Sequence, residues 1–201
     1  MSEQEQAFEA MAQSRTFLVI KQAAIHMGVW IVTFCLFAAS DSWAQLTGWQ
    51  LASVLNVLTG FIAGFVTVNL LHEWFHYFGA RATSASYTLN PKPSMFIYDW
   101  KFEENSLKQF YIMSIAGTVG GIAAVLLIFN AVEANSAGRA ALVGGAVASF
   151  AFGSIIEWPV LARTRRSRDP LAELSKLNPT ALGRAGAGSA LAGLATWALL
   201  T

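Results

Sequence analysis

The chain has 201 residues, of which 55% are hydrophobic and only 12% charged, and its mean hydropathy is +0.47. Soluble domains carry about 25% charged residues, so this composition excludes an ordinary soluble domain and describes an all-α polytopic membrane protein, expected as one integral membrane domain over residues 1–201. A net charge of +1 and the lack of a basic, aromatic-interleaved patch exclude nucleic acid as the main partner, and a single cysteine, Cys35, excludes a disulfide framework or a cysteine-built metal site.

Residues 1–13 are polar and acidic, with Glu3, Glu5 and Glu9, and lack the basic region and small-residue cleavage site of a signal peptide. They are expected to be retained and are compatible with a short amphipathic helix. The first span is expected over 17–39, with Lys21 near its start and able to reach the interface. Asp41, Ser42, Gly48 and Gln50 form a polar break flanked by Trp43 and Trp49, residue types that anchor at the membrane surface.

The second span is expected over 51–79. It contains the pair Gly60 and Gly64, a spacing that permits close helix approach and reads as packing. Polarity then returns between Arg81 and Lys108. Ser84 to Tyr98 mixes β-branched and aromatic residues around Asn90-Pro91-Lys92-Pro93, which predicts a short hairpin or irregular loop. Further spans are expected over 110–132, 140–161 and 181–200, the last dense in alanine and glycine. Between the fourth and fifth lies the one strongly basic segment, Arg163 to Arg168, then Asp169-Pro170, read as the N-cap and first position of a short helix.

Five spans put the termini on opposite sides. The segments after spans two and four carry Arg81, Lys92, Lys101, Lys108, Arg163, Arg165, Arg166, Arg168 and Lys176. The loop after span one has no Lys or Arg, and that after span three has only Arg139. By the positive-inside rule the N-terminus is cytoplasmic and the C-terminus outside.

The chemistry is concentrated in Leu70-Leu71-His72-Glu73-Trp74-Phe75-His76-Tyr77, which holds two of the chain's three histidines. On a helix, His72 and His76 sit one turn apart and offer two imidazoles to one ion, with Glu73 placed to polarise a water and shuttle its proton. The run Val54 to Leu71 leads straight into the motif, and ionisable groups at such depth are costly unless paired, protonated or bound to metal. The plainer alternative is a polar helix end held near the headgroups by hydrogen bonds. The histidines precede Arg81 by five to nine residues, about 7–14 Å along a helix. A catalytic zinc takes a third protein ligand. Glu157, six residues before Arg163 on a span parallel to the second, falls at nearly the same depth. Asp169 is the alternative third ligand, although it would have to fold back into the membrane. His26 reads as a hydrogen-bonded packing residue with an accessory ligand role as its alternative, and Glu103 and Glu104 as solvated charge.

Over residues 51–175 the pattern resembles the intramembrane zinc metalloproteases of the site-2 protease type. The matching features are His72-Glu73-x-x-His76 in a membrane helix, a cytoplasmic hairpin-like loop, and a small-residue opening of the next helix. That opening commonly reads Ala-Gly-Pro-x-x-Asn in the family and is Ala116-Gly117-Thr118-Val119-Gly120 here. The family's Asn-Pro-x-Pro-x-x-Asp-Gly stretch is replaced by Ile156-Glu157-Trp158-Pro159-Val160-Leu161-Ala162-Arg163, and Asn90-Pro91-Lys92-Pro93 has its letters but lies before the third span. The resemblance implies a divergent zinc-dependent endopeptidase. His72, His76 and Glu157 (or Asp169) would hold Zn2+, Glu73 would be the catalytic base, and the substrate would be a membrane-protein or peptide segment. The donor types, imidazole and carboxylate, favour zinc. The alternative from another class is a non-catalytic metal-binding membrane adaptor for single-span partners, which would have no need of Glu73.

Overall fold

The computed structural model describes residues 3–201, with side chains from Ser14 onward. Among the described residues there are six helices and one hairpin: α1 Glu3–Thr47, α2 Gln50–Ala82, β1 Tyr87–Leu89, β2 Tyr98–Trp100, α3 Leu107–Ala131, α4 Ala137–Ser167, α5 Pro170–Leu174 and α6 Pro179–Leu200. An apolar chain in lipid must satisfy its backbone within each segment, and the helix does so. Polar side chains mark the starts. Ser106 and Gln109 form a reciprocal capping box on α3, Ser136 caps α4, Asp169 caps α5 and Asn178 caps α6.

Four helices are long and apolar enough to cross a membrane: Ser14–Thr47 of α1, then α2, α3 and α4. The fifth expected span, α6, has 22 residues and is not among them; Gly183, Arg184, Gly186 and Gly188 lie in its first half. Exposed side chains along these helices are large and apolar, as with Leu36, Leu126, Leu127 and Phe129, each more than half exposed.

The N-terminal segment, compatible with a short amphipathic helix, is part of a longer one: α1 begins at Glu3 and runs on into the first span; Met1, Ser2 and the side chains through Gln13 lie outside the described residues. The polar break after the first span is shorter than expected. Asp41 and Ser42 remain helical, and only Gly48, at φ +65°, and Trp49 separate α1 from α2. Asp41 is tolerated there because its carboxylate accepts from Gln45 Nε2 at 2.8 Å, Asn56 Nδ2 at 3.1 Å and Arg139 Nε at 3.1 Å. That cluster ties α1, α2 and the start of α4 together at the end of the bundle opposite the hairpin.

Contacts fix the helix directions. Asp41 meets Asn56, and Trp30 donates to Thr67, so α1 and α2 are antiparallel. A Cβ on Gly60 would strike the Gly138 carbonyl, and one on Gly64 the Leu142 carbonyl and the Ala146 nitrogen. Both indices rise together, so α2 and α4 are parallel and touch backbone to backbone. Gly145 completes the seam against the Phe61 carbonyl. The Gly60/Gly64 pair is therefore a packing device, as its spacing predicts. α3 lies antiparallel to both, with Gly79 against Met113, Gly117 against His76 and Tyr111 bonded to the Leu161 carbonyl, and α6 packs mainly on α4.

The hairpin predicted between the second and third spans is present, with Tyr87 opposite Trp100, Thr88 opposite Asp99 and Leu89 opposite Tyr98. Its connecting loop is fastened to α1. Lys21 Nζ donates to the Pro91 carbonyl, Gln22 Nε2 to those of Asn90 and Lys92, and His26 Nε2 to that of Ser94. The two prolines, which have no N–H to satisfy, suit a loop that offers its carbonyls outward.

Gly64→Val is expected to destabilise the protein by about 1–3 kcal/mol, since two backbones must separate to admit it. Gly28→Ala, where a Cβ meets nothing within 4 Å, should leave stability nearly unchanged. Unfolding midpoints of both variants in detergent check the contrast.

Candidate metal centre

Helical spacing brings His72 and His76 of α2 together, with ring centroids 4.4 Å apart and planes at 85°. Their Nε2 atoms lie 2.8 Å apart. Glu157 of α4 reaches across so that its Oε1 is 2.7 Å from Nε2 of His72 and 3.2 Å from Nε2 of His76. His76 Nδ1 lies 2.9 Å from the Met113 carbonyl of α3. A carbonyl only accepts, so the His76 ring proton is on Nδ1 and the Nε2 lone pair points at the other two donors. Backbone carbonyls orient metal-ligating histidines in this way.

Glycines make the room. A Cβ on Gly117 would fall on the His76 ring, and one on Gly120 would fall on Phe75. His72 lies between α3 and α4, with Cβ positions on Gly121 and Gly153 at 3.6 Å and 3.4 Å from its ring. The small-residue opening of α3 therefore seats the imidazoles. Two residues beyond Glu157, Pro159 lies inside α4 and cannot donate to the Ile155 carbonyl.

Glu73 offers a carboxylate oxygen to the same cluster, with a donor atom from each of His72, Glu73 and His76 within 4.8 Å of one another. Of the two carboxylates, Glu157 is the one within hydrogen-bonding distance of both imidazoles. The expected alternative, Asp169, is elsewhere: its Oδ1 accepts from the Ala172 N–H at 2.9 Å as the cap of α5. His26 is likewise committed. Its Nε2 meets the Ser94 carbonyl at 2.8 Å, and its Nδ1 accepts from Trp74 Nε1 at 3.1 Å. Both ring nitrogens serve packing. Glu104 pairs with Lys101 at 2.9 Å on the exposed side of the loop.

Does the cluster suit a metal ion? Three lone-pair donors converge with edges of 2.7, 2.8 and 3.2 Å. A tetrahedral zinc site with ligands at about 2.0–2.1 Å has donor–donor edges of about 3.3 Å, so one edge matches and two are tighter. The second Glu157 oxygen, Oε2, is buried without a hydrogen-bond partner, a costly state for a carboxylate unless a cation is near. The donor set and this orphaned oxygen fit a divalent cation.

Glu73, His76 and Glu157 of the cluster line a cleft of about 440 Å³. Tyr98 and Trp100 of β2, Phe110 and Met113 of α3, and Leu174 of α5 wall it. Burial, then the nearby Glu73 carboxylate, raises the Tyr98 phenol above its ordinary value, so it stands as a neutral O–H donor at the cleft. Sequence reasoning missed Tyr98, the Met113 carbonyl and the glycine seats. The spacing Gly117–Gly120–Gly121 was the available signal for the seats.

Comparison with known proteins finds no matching family model, curated protein or solved structure.

Gly117→Ala is expected to push the His76 ring out of register and weaken metal binding by about 10–100-fold, the usual effect of losing orientation around a ligand. Gly186→Ala, where a Cβ meets nothing within 4 Å, should bind as wild type. Titration against a competing chelator reads both.

Proposed function

We propose that this chain is a zinc-dependent endopeptidase that cuts peptide bonds within or next to the membrane, a divergent relative of the site-2 proteases. The observation that carries the reading is the meeting of His72 Nε2, His76 Nε2 and Glu157 Oε1 at 2.7–3.2 Å, with Glu73 alongside, next to a cleft that Glu73, His76 and Glu157 line. The intact Glu73 favours catalysis over a metal-binding adaptor, because a site kept only to hold an ion has no use for a base.

His72, His76 and Glu157 would hold the ion. When bound, zinc lowers the pKa of its water toward ~7 and polarises a carbonyl. Glu73 takes a proton from the attacking water and returns it to the leaving amine. The neutral Tyr98 hydroxyl, on the cleft wall, donates a hydrogen bond to the oxygen that gains charge as the carbonyl is attacked. The substrate arrives extended, because a helix hides its peptide groups, and β2 at the cleft offers a strand for it to pair with.

In this reading α6 is the fifth crossing, the N-terminus is cytoplasmic and the C-terminus outside. Arg81, Arg163, Arg165, Arg166 and Arg168 then lie on the cytoplasmic side, against Arg139 alone opposite. The metal centre lies in the cytoplasmic half.

Metal analysis of the purified protein is expected to find about one zinc per chain, retained in Asp169→Ala and lost in Glu157→Ala. Metal-free wild type, prepared without chelator, overturns the proposal. In proteoliposomes containing single-span proteins, Glu73→Gln should keep its zinc while cleavage falls by about 10²–10⁴-fold. Binding of those proteins by wild type without any cleavage points to the adaptor instead.

A further inference from the structure

A second cavity, of about 530 Å³, lies where the start of α1 passes the end of α2 and the hairpin. Arg15, Arg81, Tyr77, Ser84, Tyr87 and Ile20 are among its lining residues. None of these is a ligand or base of the metal centre. Antiparallel packing of α1 on α2 brings the two arginines, 66 positions apart by number (81 − 15), to the same cavity.

Neither guanidinium has a carboxylate within 4.0 Å among the described residues; the ion pairs there involve Arg139, Arg163, Lys101, Lys176 and the two motif histidines. Arg15 is placed with its guanidinium carbon 5.1 Å from the Tyr87 ring centroid. Arg81 Nη1 is 3.5 Å from Tyr77 Oη, too long for a strong bond. Two forked cations thus line one cavity, and among the described residues Tyr77 is the one hydrogen-bond partner that either guanidinium has. Ser84 adds a hydroxyl from a left-handed backbone, φ +52°, a conformation that favours glycine. One turn along α1 from Arg15 the wall turns apolar at Val19 and Ile20, and Phe17 and Ile20 are more than 60% exposed on the surface of α1.

We propose that this cavity binds the phosphate group of an anionic membrane lipid. Arg15 and Arg81 grip the phosphate oxygens through their planar forks, the Ser84 hydroxyl donates a further bond, and the acyl chains run down over Val19 and Ile20. A free phosphate ion shares the polar half of this chemistry but has no use for the apolar half.

The test uses the full chain in detergent, with native mass spectrometry reading bound lipid. The probes are phosphatidylglycerol and phosphatidylcholine at equal concentration, with inorganic phosphate as competitor. Wild type is expected to retain phosphatidylglycerol preferentially, and Arg15→Gln/Arg81→Gln to lose about tenfold or more of that binding. Arg165→Gln/Arg166→Gln removes the same charge from exposed positions and should keep it. Arg81→Lys, which preserves charge and fold but not the fork, should bind several-fold more weakly. Equal losses in the two double variants, or no lipid preference in wild type, overturn the site. Displacement of the lipid by millimolar inorganic phosphate overturns the lipid as occupant.

Discussion

The close approach of α2 and α4 is the constraint on which the rest of the molecule depends. Gly60, Gly64 and Gly145 leave no side chain between the two backbones, so the helices are fixed in register as well as in distance. A parallel pair locked at one end can present side chains to each other only at matched heights further along. His72 and Glu157 meet because of that lock. In lipid, where apolar burial adds no drive to helix association, such contact comes from shape. The polar cluster is thus a result of the packing rather than its cause.

The third helix has a different job. It supplies no titratable group to the centre. It supplies absences of side chain, at Gly117, Gly120 and Gly121, and one main-chain acceptor at Met113. Together these hold the imidazoles against rotation and choose the nitrogen that carries the proton. The hairpin then walls the cleft from the other side. Its Tyr87 packs at a tilt against Tyr98, centroids 5.1 Å apart, and lies near Tyr77 at 5.8 Å, so one aromatic cluster joins the arginine cavity to the cleft.

How legible this was in the sequence differs by feature, for physical reasons. The histidine pair was readable because helical spacing is local, and Glu157 because depth follows from residue counts once the span directions are known. The hairpin showed in its β-branched and aromatic composition. The helical state of Asp41 was not readable: an isolated aspartate signals a break, and its partners Asn56 and Arg139 are 15 and 98 residues away. The orientation of His76 by Met113 was equally hidden, because a backbone carbonyl leaves no mark on residue identity. For Asn90-Pro91-Lys92-Pro93 the letters invited comparison with a ligand motif, whereas the folded chain uses its carbonyls as a handle.

That handle has an evolutionary consequence. Lys21, Gln22 and His26 grasp the loop only through the carbonyls of residues 90, 91, 92 and 94. Every amino acid supplies the same carbonyl. Side chains at 90, 91, 92 and 94 can therefore be exchanged without removing these four hydrogen bonds, as long as the chain keeps its path, whereas Met95 and the buried Ile97 are held by their side chains. Natural variation at those positions can reshape the surface beside the cleft while the scaffold beneath it stays constant.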